Sequence, residues 1–180
     1  NQTLLIPDDI KNIPHPIIGY YGAIAEWFDT KILETIASQN PDKSIVLIGG
    51  VTNNEVQHLA SNYKNIFLLG EKPYLELPGY LKEFDVCIIP FILNDLIKAT
   101  HPVKIYEYYA AGKPVVATKM PEIIEFKDDI FFATHNNFSQ QIDLALKSKN
   151  PTRRQLIAKN NTWNKRASTL ITTIEKNMFP

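Results

Sequence analysis

The chain has 180 residues, 44% of them hydrophobic and 21% charged, and its 19 basic side chains balance 19 acidic ones. This composition is typical of one globular domain, and the zero net charge argues against nucleic acid as a main partner, because binding a phosphate backbone needs a basic surplus. A small phosphate ligand stays possible. The single cysteine, Cys87, excludes an internal disulfide framework, so we expect a buried strand residue and a reducing, cytoplasmic compartment.

The start of the chain, residues 1–16, is punctuated by proline and lacks an initial Met. We therefore expect a linker remnant of a longer protein. No basic-then-apolar signal segment opens the chain, and no apolar run comes near the roughly 18 residues that a membrane-spanning helix needs. No transmembrane segment is predicted, and any membrane contact would be peripheral and made through the full-length protein.

Short apolar runs alternate with helix-length patterns from residue 17 onward. The runs predicted as strands are PIIGYYGAI, SIVLIGG, NIFLLG, DVCIIPF, PVVATK and DIFFATH. Helices are predicted over 26–39, 53–63, 74–84, 102–111 and 137–148, and over 152–178 with a break near Asn160 and Asn161.

The predicted strands show no polar alternation, which is typical of a parallel sheet covered by helices on both faces. The sequence therefore predicts an α/β, doubly wound, Rossmann-like domain. Ligands of such sheets bind beyond the carboxyl ends of the strands. The turns expected to form a site follow Tyr21, Ile48, Leu69 and Pro90.

The stretch HPVKIYEYYAAGKPVVAT, residues 101–118, combines a helix start with two charges on one face. Pro102 favours the first turn of a helix, and Gly112 fits the position just past its end, about ten residues on. Lys104 and Glu107 share a face of this helix. The free N–H groups of a helix start suit a phosphate, and Glu107 lies about 7.5 Å further along the axis, where a carboxylate could accept ribose hydroxyls. The alternative is a Lys104–Glu107 surface ion pair.

The same stretch resembles the donor-site signature of GT-B glycosyltransferases of the retaining, family 4 type. That signature is a Glu, seven residues, a second Glu, a run of small residues and G-x-P-V-V. The segments IIGYYGAI, NIFLLGEKPYLELPGYLKEFDVCIIPF and NTWNKRASTLITTIEK are similar to the family's opening strand and glycine loop, its central segment and its closing helices. The resemblance covers most of residues 17–175.

The resemblance implies the C-terminal, donor-binding half of a two-domain glycosyltransferase, in bacterial-type surface glycan synthesis. Residues 17–151 would be the Rossmann-like domain, and helices in 152–180 would pack back on the missing N-terminal domain. The substrate would be a nucleotide-diphosphate sugar, UDP- or GDP-linked, with no cofactor and no metal. The catalytic residues stay unassigned, because the acceptor surface belongs to the other half.

The resemblance also implies the roles of individual residues. Glu107 matches the second Glu and would bind the ribose hydroxyls. The Gly70-Glu71-Lys72 turn matches the region of the base, and Gly22 belongs to the first glycine loop. The family segment that meets the diphosphate is matched by Thr100, His101, Pro102, Val103 and Lys104. The His101 side chain is also a possible hydrogen-bond donor to this diphosphate.

Two positions depart from the family pattern. Ala99 stands where the first Glu, expected to contact the donor sugar or its phosphate, is found in the family, and Ala23 stands where an Arg for the phosphates is common. Lys104 is expected to supply part of the missing positive charge, and Lys98 is a looser candidate.

Two alternatives stay open at this point. A nucleotide-sugar epimerase on the same fold should carry acid/base groups around the sugar, and the loop FILNDLIKAT offers only Asp95. A non-catalytic nucleotide- or partner-binding domain would fit the two alanine departures. Near the C-terminus, an apolar stripe at helical spacing is expected to pack partly on this domain; it consists of Leu170, Ile171, Ile174 and Met178.

Overall fold

The structure is a computed structural model that describes residues 5–178, except for the side chains of residues 176 and 177. Its centre is an all-parallel sheet of six strands in the order β3-β2-β1-β4-β5-β6. The strands are β1 (Ile17–Tyr21), β2 (Ser44–Ile48), β3 (Ile66–Gly70), β4 (Val86–Ile89), β5 (Val115–Thr118) and β6 (Ile130–Ala133).

Eight α-helices are assigned within residues 5–178. They are α1 (Thr30–Gln39), α2 (Asn54–Asn62), α3 (Leu77–Glu83), α4 (Asp95–Lys98), α5 (Lys104–Ala110), α6 (Phe138–Lys147), α7 (Pro151–Asn160) and α8 (Trp163–Met178). Two 3₁₀ segments, Tyr74–Glu76 and Pro121–Phe126, complete the described elements.

The predicted doubly wound sheet is confirmed, and so are its six strands. Every residue of β1, β2 and β4 is buried, because helices cover both faces of the sheet. Strand β1 pairs with β2 on one side and with β4 on the other, so chain order reverses at β1. Cys87 is buried in β4 as predicted, and burial raises the pKa of its thiol well above the usual value.

Some predicted helix boundaries were wrong. Helix α1 begins at Thr30 rather than Glu26, because the Asp29 carboxylate caps it, accepting hydrogen bonds from the backbone N–H groups of Lys31 at 3.0 Å and Ile32 at 3.2 Å. Helix α4 was not predicted, since four residues leave too short a periodic pattern. The predicted break in the C-terminal helical region is confirmed at 161–162.

The described part of the predicted linker, residues 5–16, packs against the domain near α3. Ile10 is fully buried, and the Asp9 carboxylate accepts a hydrogen bond from the Tyr80 hydroxyl at 2.8 Å. The backbone of Leu5 passes close to Gly79: a Cβ atom on Gly79 would lie 2.3 Å from the Leu5 carbonyl oxygen. Residues 1–4 of the predicted linker lie outside the described residues.

The two C-terminal helices differ in how they contact the domain. Helix α7 packs on α5, and its buried Arg154 donates a hydrogen bond to the Gly112 carbonyl oxygen at 3.1 Å. Helix α8 meets the domain near its start, where the Arg166 guanidinium lies 4.8 Å from the centroid of the Tyr106 ring. The expectation that part of the apolar stripe on α8 would be buried here was wrong. All four side chains are exposed: Leu170, Ile171, Ile174 and Met178.

None of the described helices is both long and apolar enough to cross a membrane.

Candidate donor site

The candidate site lies at the carboxyl end of β1, where the strand order reverses. Open α/β sheets bind ligands at this kind of position. Three segments meet there: the turn after β1, the loop after β3 and helix α5, which follows β4. The predicted site residues come from these three segments and from the loop that leads into α5.

Glycine turns bring the backbones after β1 and β2 close together. Gly22 has a φ of +126° and Gly49 a φ of +143°, both in the region that side chains rarely adopt. A Cβ atom on Gly49 would lie 2.1 Å from the Gly22 carbonyl oxygen, so a side chain there is excluded. The two turns border a cavity of about 260 Å³ that Glu71 and Lys72 also line.

Lys104 reaches from α5 to the end of β1. Its ammonium donates a hydrogen bond to the Tyr20 hydroxyl at 2.9 Å, and it lies 4.3 Å from the centroid of the Tyr20 ring and 5.1 Å from that of Phe91. It also lies 2.8 Å from the point that a Cβ atom on Gly22 would occupy. Gly22 therefore leaves room for the lysine.

Burial sets the charge state of Lys104. Loss of solvent lowers the pKa of its ammonium to about 8, although the nearby Glu107 carboxylate acts in the opposite direction. The side chain is still mostly protonated at neutral pH. A partly desolvated cation beside a tight glycine turn suits an anionic ligand such as a phosphate.

Glu107 is held by two tyrosine hydroxyls. Tyr21 donates to Oε2 at 2.5 Å, and Tyr74 donates to Oε1 at 2.7 Å. The Tyr21 ring packs edge-on against Tyr108 with the centroids 5.1 Å apart. Burial, and then the bond to Glu107, raise the pKa of the Tyr21 hydroxyl, so it keeps its proton and stays a donor.

The Tyr74–Glu107 contact separates two cavities. One, of about 430 Å³, extends toward α7 and α8, where Trp163 and Arg166 line it. The other, of about 450 Å³, extends toward α3 and is lined by Tyr21 and Lys113. Tyr74 and Glu107 line both cavities.

The surface-pair alternative for Lys104 and Glu107 was wrong. No ion pair joins them within residues 5–178; each bonds instead to a tyrosine at the end of β1. Successive residues of a strand point to opposite faces. Lys104 must therefore pass the carboxyl end of β1 to reach Tyr20, whereas Glu107 meets Tyr21.

In the region predicted to bind the base, Glu71 and Lys72 already contact other parts of the protein. Glu71 lies against the second glycine turn, where a Cβ atom on Gly50 would lie 2.5 Å from its Oε1. Lys72 forms an ion pair with Asp9, with Nζ 2.6 Å from Oδ2, and this bond raises its pKa. The Lys72 charge is thus neutralised by the segment before β1.

The residues of the segment predicted to meet the diphosphate contact different parts of the structure. Helix α5 has seven residues rather than about ten and begins at Lys104. Pro102 is buried, and its carbonyl oxygen accepts a hydrogen bond from the Ile105 N–H at 3.1 Å. The Thr100 hydroxyl donates to the Leu96 carbonyl at 2.7 Å.

Two other members of that segment face α8. The His101 ring stacks on Tyr106 with centroids 5.6 Å apart, and its Nε2 lies 3.0 Å from the Tyr106 hydroxyl. Val103 is exposed and lines the 430 Å³ cavity with Glu107. The five residues 100–104 therefore do not converge on one point. Lys104 lies beside Gly22, whereas Val103 lines a cavity with Glu107.

Several residues of the site were missed by sequence reasoning. Tyr20 and Tyr21 precede the glycine turn at the end of a buried strand, and a polar tip at that position was a usable signal. Tyr74 carried no signal, because its partner is 33 residues away. Asp95, the acid considered for an epimerase, is exposed and pairs with Lys98 at 3.1 Å.

The fold is shared with solved structures of other proteins, AviGT4 and Alr3699/HepE among them. AviGT4, a glycosyltransferase involved in avilamycin A biosynthesis, superposes with a TM-score of 0.68 at 10% identity, over 98% of this chain and 53% of that chain. Alr3699/HepE of Anabaena, solved in complex with UDP-glucose, superposes with a TM-score of 0.67 at 18% identity, over 88% of this chain and 49% of that chain. At these identities, the likeness establishes the fold alone.

Sequence comparison identifies a curated relative in Bacillus subtilis (strain 168). TuaH, provisionally named a teichuronic acid biosynthesis glycosyltransferase, is 33% identical over 108 residues, which are 58% of this chain and 27% of that protein. The chain therefore spans about a quarter of this relative and about half of the two structural ones.

A family match covers the whole sheet. Residues 15–148 match the family described as Glycosyl transferases group 1. This range is more than half of the chain and includes the glycine turns, Lys104 and Glu107. The chain therefore belongs to the group 1 glycosyl transferases.

Proposed function

We propose that this domain is the C-terminal, donor-binding half of a retaining, hexosyl-type, family 4-like GT-B glycosyltransferase. Its ligand would be a UDP- or GDP-linked sugar. The observation that carries the proposal is the placement of Lys104 and Glu107 on one helix at the carboxyl end of β1, each held by an adjacent tyrosine of that strand. Family membership and the fold shared with Alr3699/HepE, which was solved with UDP-glucose, support it.

In this proposal Lys104 holds the diphosphate beside the Gly22 turn. The leaving nucleotide gains negative charge as the bond to the sugar breaks, so a fixed cation stabilises the transition state more than the ground state. Since α5 is short, the main contribution comes from the Lys104 charge and not from the helix dipole. The backbone of Thr100, His101, Pro102 and Val103 would lie at the edge of this phosphate site.

Glu107 would bind the ribose hydroxyls, one helical turn from Lys104. Its carboxylate is already oriented by Tyr21, which limits the ordering that binding requires. The base would enter near Glu71 and Lys72, beside the 260 Å³ cavity. With Ala99 in place of the family's first acid, the sugar ring has no carboxylate from that position.

The acceptor surface is proposed to lie on an N-terminal domain, against which α8 would pack with its exposed apolar stripe. The name of TuaH supports a surface glycan as the product. Cytoplasmic location, with peripheral membrane contact through the full-length enzyme, is part of the same proposal.

Calorimetric titration of the chain with UDP, GDP, ADP and the matching nucleosides tests the donor site. We expect a diphosphate to bind, weakly, and in preference to its nucleoside. Absence of binding by every nucleotide, with the fold intact, would contradict the proposal.

A second experiment tests the division between two halves. Incubation of the purified chain with UDP- and GDP-sugars and a panel of acceptors should give no transfer, because positioning of an acceptor contributes about 7–11 kcal/mol to such reactions. Turnover by this chain alone would overturn the half-enzyme proposal.

A further inference from the structure

Both carboxylate oxygens of Glu107 are occupied, but by partners of different kinds. Tyr21 is only 7% exposed and packs in the core, whereas Tyr74 is 70% exposed. Tyr21 belongs to a central strand; Tyr74 belongs to a single 3₁₀ turn, Tyr74–Glu76, in the loop after β3. One bond is therefore part of the core, and the other is an exchangeable surface contact.

Tyr74 stands at the position that a ligand of Glu107 must reach. Its ring and Glu107 together line the cavities of about 430 Å³ and about 450 Å³ on either side. The hydroxyl donates to Oε1 at 2.7 Å, the same contact that a sugar hydroxyl would make with a carboxylate. The carboxylate raises the pKa of Tyr74, so the hydroxyl stays protonated and keeps its donor role.

We propose that Tyr74 is a displaceable stand-in for the ribose. In the free protein its hydroxyl donates to Glu107 Oε1, and a ribonucleotide displaces it by making the same bond with a ribose hydroxyl. Tyr21 stays bonded to Oε2 and keeps the carboxylate oriented throughout. This inference rests on the proposed donor site and adds a specificity-determining residue to it. Only a ligand that brings its own hydroxyl can replace the bond that Tyr74 gives up.

The exchange has a measurable consequence for affinity. Displacing Tyr74 costs one hydrogen bond to a carboxylate, which reduces the apparent affinity of a ribonucleotide. Removing only the hydroxyl should therefore tighten binding. A nucleotide without ribose hydroxyls cannot make the exchange, so it should gain little from the same change.

The test compares UDP with 2′,3′-dideoxy-UDP by calorimetry on four chains: wild type, Tyr74→Phe, Glu107→Ala and the double variant. We expect Tyr74→Phe to bind UDP about three- to tenfold more tightly than wild type and to bind dideoxy-UDP within about twofold of wild type. In the Glu107→Ala background, Tyr74→Phe should have no effect, since the bond is already absent.

Tyr80→Phe is the matched control. It removes another tyrosine hydroxyl that bonds a carboxylate, that of Asp9 at 2.8 Å, away from Glu107. Its UDP affinity should equal that of wild type. Thermal melts of all variants check that the fold is kept. Because Tyr74 is exposed, we expect Tyr74→Phe to keep the wild-type melting temperature.

The possible failures can be told apart. If UDP binds the double variant as tightly as it binds Tyr74→Phe, Glu107 does not hold the ribose; the donor site itself is then wrong and the inference falls with it. If Glu107→Ala weakens UDP while Tyr74→Phe weakens it too, the Tyr74 hydroxyl contacts the nucleotide and is no stand-in. An unchanged UDP affinity in Tyr74→Phe, or an equal gain for dideoxy-UDP, would also overturn the exchange.

Discussion

The Lys104 ammonium donates a hydrogen bond to the Tyr20 hydroxyl across 2.9 Å, and the two residues are 84 positions apart in the chain. This bond ties α5 to the end of β1, beside the Gly22 turn. Tyr20 in turn donates to the Ala23 carbonyl at 2.9 Å, so the lysine, the strand end and the turn form one connected unit. The cation is thereby fixed in place before any ligand arrives.

Lys104→Met should remove the preference for a diphosphate. We expect UDP to bind this variant about as weakly as uridine, while the wild type prefers UDP by about tenfold or more, since a hydrogen bond to a charged group contributes roughly 1.5–3 kcal/mol. Calorimetry with both ligands measures the ratio, and Lys11→Met, in an exposed pair with Asp8, is the matched control. An unchanged ratio in Lys104→Met would remove the phosphate role.

UDP affinity should depend on pH through Lys104. Its pKa of about 8 in the free protein means that the charge is lost as pH rises through that value. We expect affinity to be highest near pH 7 and to fall between pH 8 and about 10, because a bound anion favours the protonated lysine. Lys104→Arg keeps its charge in this range, and its profile should be flat.

Lys104 should also make the stability of the fold depend on pH, in the direction opposite to that of UDP affinity. Between pH 8 and 10.5 the unfolded chain holds the Lys104 proton more tightly than the folded chain, so the free energy of unfolding should rise with pH. Measured against Lys104→Met, this rise should be confined to the wild type. A parallel course of the two denaturation profiles would contradict the lowered pKa.

In the Tyr74→Phe background, where no tyrosine bond to Oε1 offsets the loss, Glu107→Ala should weaken UDP binding by roughly 1–3 kcal/mol, the range for hydrogen bonds to a charged group. The variant also leaves the Tyr21 hydroxyl without its acceptor, so a modest fall in melting temperature is expected. Glu122→Ala, in an exposed position on the Pro121–Phe126 segment, is the control. If Glu107→Ala leaves the affinity unchanged in that background while the fold is intact, Glu107 is not the ribose anchor.

Gly49→Ala should destabilise the domain far more than Gly70→Ala. Both glycines have positive φ values, +143° and +69°, so each alanine is strained. At Gly49 the new Cβ would also lie 2.1 Å from the Gly22 carbonyl oxygen, whereas at Gly70 there is nothing within 4 Å. We expect about 1–2 kcal/mol for Gly70→Ala and more than twice that for Gly49→Ala. Urea denaturation of both variants measures the difference, and equal losses would contradict the close approach of the two turns.

The sequence by itself determined the sheet. In β1, β2 and β4 both faces are covered, so each strand needs an unbroken apolar run, and such runs are visible without a structure. The helix of the candidate site was equally visible, because Lys104 and Glu107 are neighbours on one helical face whatever the helix packs against. Local periodicity carries this information, and it survives in a single sequence.

Tertiary structure alone decided which partners those side chains have. Lys104 and Glu107 form no pair with each other, because the adjacency of β1 and β4 brings Tyr20 and Tyr21 under α5 from more than 80 residues away. Lys72 loses its free charge to Asp9, 63 residues distant, for the same kind of reason. Such contacts depend on strand order and on where each chain segment crosses the sheet, and no local pattern of residues encodes them.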